Sequence, residues 1–224
     1  MAAVKLKIMA LLLAGCSSSS GIMPNIYLLN IGYNDGIVYA TSSSSIVNSN
    51  LPQVLGNFVG KTNFEVRIGY FALCTHVPPE SWLCSPNATT LAERLAAVED
   101  PLNILNVAET FRQKIVFPYL LVTSAGLAFV VFLLTMPYPP LLKTVSIGLC
   151  FVSVVLVLIS VLWQHTASVA ASTVVTNLGE GTLFTGVGLT SMVLGWMSFG
   201  LLTVSLMGIY LFVRINSVIS HNVG

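Results

Sequence analysis

The chain has 224 residues, of which 55% are hydrophobic and only 8% are charged, and its formal net charge is +1. Soluble domains carry about 25% charged residues, so this composition indicates a membrane protein. No basic cluster is present that could follow a phosphate backbone, so nucleic acid is not an expected partner.

The N-terminal segment, residues 1–16, has two lysines followed by nine apolar residues that end at Cys16. Nine helical residues reach about 14 Å, roughly half of a bilayer core. Three interpretations stay open: a cleaved secretory signal, a lipoprotein processing site at "LAGC", and a first span that is short, continues to about residue 29 or has lost upstream residues. The lipoprotein interpretation is the weakest, because a chain with three further spans gains little from a lipid anchor.

The next segment, residues 17–114, is long enough for a small extracellular fold. The stretch "NFEVRIGYFALC", which ends at Cys74, alternates apolar and polar residues and predicts a half-buried strand. "DGIVYATS" from Asp35 predicts a shorter strand. Apolar residues at three and four spacing from Leu91 to Ile115, interrupted at Pro101, predict two short amphipathic helices.

Two of the four cysteines, Cys74 and Cys84, are separated by nine residues that include the turn-forming "VPPES". Thiols outside the cell oxidise, so we expect a disulfide that closes a hairpin; two buried free thiols are the alternative. A zinc site lacks ligands, with only His76 nearby. Cys150 lies inside a predicted span and is expected to be a packing residue, while Cys16 lies at the membrane boundary.

Three later segments are apolar enough to cross a bilayer, residues 115–136, 144–163 and 186–213. They are connected by a cytoplasmic turn, 137–143, and a second extracellular loop, 164–185, and are followed by a cytoplasmic tail, 214–224. The fourth span carries small residues that either pack within a four-helix bundle or dock a second protein. These residues are Gly186, Gly188, Ser191, Gly195, Ser198, Gly200, Ser205 and Gly208.

Charge placement predicts four crossings with both termini in the cytoplasm. The inner segments then hold Lys5, Lys7, Lys143 and Arg214 and no acid, whereas all eight acids lie outside, as the positive-inside rule requires. The sequon "NAT" at Asn87 falls on the outer side and predicts a glycan there.

One motif begins with Gly69, Tyr70 and Phe71, continues after two residues with Cys74, and ends after nine further residues with Cys84. This motif resembles the signature of the claudin superfamily. That resemblance implies a claudin-like four-helix transmembrane bundle with a small extracellular β-sheet subdomain. Phe71 replaces the tryptophan usual in animal claudins. Within the superfamily, "GYFALC" together with "LAGCSSSS" and "PNIYLL" is similar to the fungal calcium-influx and membrane-fusion regulators that act when mating cells meet.

The resemblance implies a multi-pass plasma-membrane protein that regulates calcium influx and membrane fusion; a claudin-like scaffold for membrane domains or adhesion is the alternative. Expected partners are the lipid bilayer, another membrane protein such as a calcium channel, and a second copy of the chain. We expect no catalytic residues, metal or cofactor, since no nucleophile elbow, phosphate loop or metal-ligand spacing is present. Glu99 and Asp100 are expected to form a solvated face and to cap the helix after Pro101.

Overall fold

The computed structural model describes residues 2–19, 21–33, 64–76, 82–94, 100, 103–134, 140–178 and 183–223. The chain divides into two compact units. The helical unit consists of Met1–Leu13, Phe117–Gln164 and Met192–Gly224, and the sheet unit consists of Ala14–Val116 and His165–Ser191.

Over the described ranges the chain forms six α-helices, five β-strands and a single 3₁₀ turn at Met23–Asn25. The helices are α1 (Ala2–Leu13), α2 (Ala88–Arg94), α3 (Ile104–Ile115), α4 (Pro118–Leu134), α5 (Pro140–Leu178) and α6 (Leu189–Val223). The strands are β1 (Leu29–Tyr33), β2 (Glu65–Ile68), β3 (Leu73–His76), β4 (Leu83–Ser85) and β5 (Leu183–Val187).

The five strands form one antiparallel sheet in the order β4-β3-β2-β1-β5. The alternation predicted for the first extracellular loop is confirmed in β2, where Val66 and Ile68 are buried and the residues between them are half-buried. The strand ends at Ile68, however, and does not run on to Cys74. Gly69 N donates to Ala72 O at 2.9 Å, so the chain turns there and Cys74 lies in the next strand. The strand predicted from Asp35 lies outside the described residues.

One face of the sheet carries the core of this unit. Because side chains alternate along a strand, the odd-numbered residues of β1 and the even-numbered residues of β2 share that face. The cluster contains Leu29, Ile31, Tyr33, Phe64, Val66, Ile68 and Leu73 from the strand region and Leu91, Ile104, Leu105, Ala108 and Phe111 from α2 and α3.

The two short helices predicted after the hairpin are confirmed as α2 and α3. In α3 the buried residues Ile104, Leu105, Ala108 and Phe111 recur at one, three and four spacing and join the sheet's core cluster, whereas Val107 is exposed. Asp100 caps this helix as expected, since its two carboxylate oxygens accept from Ile104 N at 2.9 Å and Leu105 N at 3.1 Å. Tyr33 also donates to Asp100 at 2.6 Å, which ties the cap to β1. Glu99 lies outside the described residues.

In the described part of the chain, α5 and α6 are each long and apolar enough to cross a membrane, and α3 with α4 would make a third crossing if they form one broken span. The structure therefore supports two or three spans and does not establish the predicted four-span bundle. The helix boundaries also differ from the sequence prediction. Gly186 and Val187 belong to β5, so α6 begins at Leu189, and α5 extends to Leu178, well past residue 163.

Packing inside the helical unit uses small and hydroxyl side chains. Ser153 Oγ donates to Ser124 O at 3.1 Å, linking α5 to α4. A Cβ on Gly195 would lie 3.3 Å from Val161, so this glycine of α6 lies against α5 of its own chain. Gly200 and Gly208 have no neighbour within 4 Å of such a Cβ. The small residues of α6 thus divide between internal packing and an open face.

Candidate functional site

The face of the sheet opposite α3 bears the two predicted disulfide cysteines, Cys74 and Cys84, and we call it the cysteine face. One register row crosses all five strands there. It consists of Cys84, Cys74, Arg67, Asn30 and Gly186. Four residues of this row come from the first predicted extracellular loop, and Gly186 comes from the start of the predicted fourth span.

The predicted disulfide is confirmed, with Cys74 bonded to Cys84 directly across the β3–β4 pair. On the outer edge of β4, the backbone N–H of Cys84 donates to Ser19 Oγ at 3.1 Å. An unpaired edge strand invites pairing with another chain, and here a residue of the serine run satisfies one of its donors.

The segment after α1 lies on the disulfide, which the sequence did not reveal. A Cβ on Gly69 would lie 2.6 Å from Gly15 O and 2.8 Å from Cys16 Cβ, and a Cβ on Gly15 would lie 2.3 Å from Ile26 O. Cys16 O is 3.5 Å from Cys74 Sγ. The missing side chain of Gly69 allows residues 15 and 16 to approach it, and the missing side chain of Gly15 makes room for Ile26. The signature glycine Gly69 is therefore a docking site for residues 15 and 16.

Cys16 is the unpaired cysteine of this face. It follows the end of α1 and belongs to the sheet unit, with none of its surface exposed. Its thiol donates to Ile26 O at 3.6 Å. Burial raises the pKa of the Cys16 thiol to about 12, against a smaller opposing effect of the Arg67 charge. A thiol in this state stays protonated and is a poor nucleophile.

Arg67 holds the centre of the cysteine face through charge-assisted hydrogen bonds. Its Nε donates to Glu65 Oε1 at 2.9 Å, and the same pair forms a salt bridge. Its Nη1 donates to Pro24 O at 3.1 Å and to Asn25 Oδ1 at 2.7 Å. Bonds of this kind are stronger than neutral ones, so Arg67 fastens the 3₁₀ turn to β2.

The same guanidinium stacks on two aromatic rings, 3.9 Å from the Trp82 ring centroid and 4.8 Å from that of Tyr27. The imidazole of His76 also lies against the Trp82 ring, with ring centroids 4.9 Å apart. Sequence reasoning used Arg67 only as a polar residue of an alternating strand. Its partners are 15 and 40 residues away along the chain, and no periodicity encodes such a contact.

The turn between β2 and β3 contains the rest of the signature. Tyr70 and Ala72 are buried, whereas 44% of Phe71 is exposed. Burial raises the pKa of the Tyr70 phenol above its ordinary value, so it remains neutral. Arg112 of α3 donates to Phe71 O and forms a salt bridge with Glu109 at 2.7 Å. The turn backbone is thereby fixed while the Phe71 ring projects outward.

Asn87 is exposed immediately before α2, and its backbone N–H donates to Ser85 Oγ at 3.2 Å. Its side chain is therefore accessible, as the predicted glycan requires. No three His, Cys, Asp or Glu residues lie together in a metal-binding arrangement among the residues that the structure describes. The guanidinium of Arg67 on the cysteine face is occupied by contacts within the chain.

Comparison with protein families agrees with this arrangement. Residues 54–214 match the family described as "Ca2+ regulator and membrane fusion protein Fig1". The matched range includes the signature turn, the disulfide hairpin, α3 and the long helices, while β1 and the segment at Gly15 lie before it. No curated protein matches the chain significantly. The match covers well over half of the 224 residues, and the chain therefore belongs to the Fig1 family of Ca2+ regulators and membrane fusion proteins.

Proposed function

We propose that this protein is a multi-pass protein of the fungal plasma membrane that raises calcium entry and promotes membrane fusion when mating cells meet. The family match over residues 54–214 carries the proposal, because it includes both the disulfide hairpin and the apolar helices. With both termini in the cytoplasm, the sheet unit faces the partner cell.

We further propose that calcium passes through another channel and that this chain regulates it. A calcium ion binds six to eight oxygens, usually including carboxylates. The predicted spans contain no Asp or Glu, and the buried polar residues described in the helical unit are the uncharged Ser124, Ser146, Ser153, Ser160, Gln164 and Ser198. Hydroxyl groups that bond to helix backbones, as Ser153 and Ser198 do, are poorly placed to replace the water around a cation.

The test compares cells that lack the gene with cells that express the wild-type chain, while cytosolic calcium is recorded at cell contact. Loss of the chain should reduce the contact-induced calcium rise and increase lysis or arrest of fusing pairs, and raised external calcium should partly rescue them. Purified protein in liposomes should pass little calcium. Strong flux through the pure protein would refute the regulator hypothesis.

A matched pair of variants separates the cysteine face from general effects of mutation. The double variant Cys74→Ser, Cys84→Ser alters this face, whereas Gly126→Ala changes an α4 position with no neighbour within 4 Å. At equal surface amounts, we expect the first to lose the calcium response and the second to keep it. An unchanged calcium response together with disordered membrane domains in cells lacking the gene would favour the scaffold function instead.

A further inference from the structure

The cysteine face brings three cysteines into one cluster. Cys16 and Cys74 are fully buried there together with Ala72, and the half-buried Cys84 packs against them. Cys74 and Cys84 form the disulfide, whereas Cys16 is a free thiol. A thiol beside a disulfide is the arrangement that thiol–disulfide exchange requires, because that reaction is the attack of one sulfur on another.

The segment that follows α1 lies across both ends of this disulfide. Cys16 O is 3.5 Å from Cys74 Sγ, and further along the segment Ser19 Oγ accepts from Cys84 N at 3.1 Å. The contact with Cys74 places the Cα atoms of residues 16 and 74 at most about 9 Å apart. Disulfides join Cα atoms that are about 4.4–6.8 Å apart, so a movement of about 2 Å would bring Cys16 within bonding range of Cys74.

The backbone conformation at Cys16 is one that cysteine adopts only at a cost. Ser17 N donates to Ala14 O at 3.0 Å, which closes a turn with Cys16 at its third position. The φ angle of Cys16 is +60°, in the left-handed region, where glycine or asparagine is the usual residue of such a turn. Backbone strain of this kind is concentrated at functional sites. Here it holds a thiol in contact with a disulfide.

From these contacts we propose that Cys16 is the exchange partner of the Cys74–Cys84 disulfide, which makes the cysteine face a redox-sensitive switch. The Cys16 thiol first loses its proton to solvent. Its Sγ then attacks Cys74 Sγ, so that a Cys16–Cys74 bond forms while the Cys74–Cys84 bond breaks. Cys84 leaves as a thiolate and takes up a proton from water, so the exchange consumes no oxidant and no reductant.

Burial of Cys16 controls when the exchange takes place, and the position of Cys84 decides what it releases. Burial raises the pKa of the Cys16 thiol, so exchange is slow while residues 15 and 16 stay docked on Gly69. Cys84 belongs to the edge strand β4 and is half-buried. Exchange therefore removes the cross-link of the β3–β4 hairpin and leaves a thiol at the edge of the sheet, where thiol-reactive molecules reach it.

Single cysteine variants of the full chain in detergent test whether Cys16 reaches Cys74. Cys84→Ser leaves Cys74 without its partner, and Cys74→Ser does the same for Cys84. Free thiols are blocked with N-ethylmaleimide, and non-reduced peptides are analysed by mass spectrometry. A Cys16–Cys74 disulfide in the first variant should be roughly tenfold more abundant than a Cys16–Cys84 disulfide in the second, because Cys16 contacts the Cys74 sulfur. Equal amounts, or two free thiols in Cys84→Ser, would overturn the proposal.

The wild-type protein provides a test that does not depend on the folding of those variants. With iodoacetamide present for hours at pH 8, each exchange frees Cys84 and traps it, so Cys84 should be alkylated roughly tenfold more often than Cys74. In Cys16→Ala, which keeps the native disulfide, alkylation of Cys84 should fall to that of Cys74. Alkylation of both cysteines to the same extent in the wild type, or of neither, would refute the exchange, and so would unchanged alkylation of Cys84 in Cys16→Ala. Neither readout involves calcium.

Discussion

At the scale of single residues, close backbone approach decides which positions tolerate a side chain. The helical glycines Gly126 and Gly200 have open space around them, whereas Gly69 and Gly15 lie where another backbone passes within contact distance. Position 69 of the signature therefore requires a glycine because residues 15 and 16 lie on it, and not because of the backbone conformation of its own turn.

Gly69→Ala should lower the free energy of unfolding of the sheet unit by about 1–3 kcal/mol, because its Cβ would lie 2.6 Å from Gly15 O. The measurement is thermal unfolding in detergent by circular dichroism. Gly126→Ala should leave the melting temperature unchanged or raise it slightly, since alanine favours helix. Equal effects of the two variants would show that residues 15 and 16 do not lie on Gly69.

Cys16 should resist alkylation in the folded protein. With a pKa of about 12 instead of 9.0, its thiolate fraction at pH 8 falls about a thousandfold. Mass spectrometry after brief iodoacetamide treatment measures the reaction, and Ser17→Cys, at an exposed neighbouring position, should react readily. Alkylation of native Cys16 at a comparable rate would show that the thiol is accessible.

The same shift has a consequence for the pH dependence of stability. The folded pKa of Cys16 lies above the unfolded value, so the folded form keeps its proton at a pH where the unfolded chain loses it. Below pH 9 this group leaves the free energy of unfolding unchanged. Between pH 9 and 12 the free energy of unfolding should fall in the wild type, and less so in Cys16→Ala.

At the scale of elements, the β3–β4 hairpin depends on its disulfide. The bond closes a loop of about ten residues, which contributes roughly 2.5 to 3 kcal/mol in the chain-entropy model. The double variant Cys74→Ser, Cys84→Ser should lower the melting temperature and the amount of protein at the cell surface. Mass spectrometry of the non-reduced wild type tests the bond itself, and normal surface amounts in the variant would show that the hairpin folds without it.

Local patterns predicted the elements that they encode. The alternation around Val66, the helical spacing from Ile104 and the paired cysteines each describe neighbours along the chain, and each prediction holds in the structure. The boundary of α6 was wrong because glycine-rich apolar residues fit a span as well as a strand. The pairings of Gly186 with Asn30 and of Val187 with Leu29 assign them to the sheet.

The composition of the candidate site was predictable only in part. The signature residues and Asn87 could be named from the sequence, but the docking of Gly15 on the signature and the stacking of Arg67 could not. Gly15 lies 54 residues before Gly69, and Arg67 is 40 residues from Tyr27 and 15 from Trp82, so one sequence contains no local signal for these contacts. Tertiary packing selects such pairs after the elements have formed.

At the scale of the whole molecule, a glycan on Asn87 would report which side of the membrane the sheet unit occupies. We expect endoglycosidase treatment to increase the gel mobility of the wild-type protein and of Thr89→Ser. The mobility of Asn87→Gln and Thr89→Ala should not change. The reason is that the transferase requires the asparagine and a hydroxyl residue at the third position of the sequon. An unmodified wild-type chain in the secretory pathway would contradict an extracellular sheet unit.

The position of β5 in the chain sets the time at which the sheet can be completed. β1 pairs with β2 early, but its other edge pairs with β5, which is made only after α4 and α5. At a synthesis rate of 5–20 residues per second, the roughly 115 residues between the end of β2 and the start of β5 take about 6 to 23 s. Throughout that interval the nascent chain presents an unpaired, apolar strand edge in the compartment where it folds. During biogenesis, this topology favours a chaperone that binds the free edge of β1 and dissociates when Val187 has been synthesised.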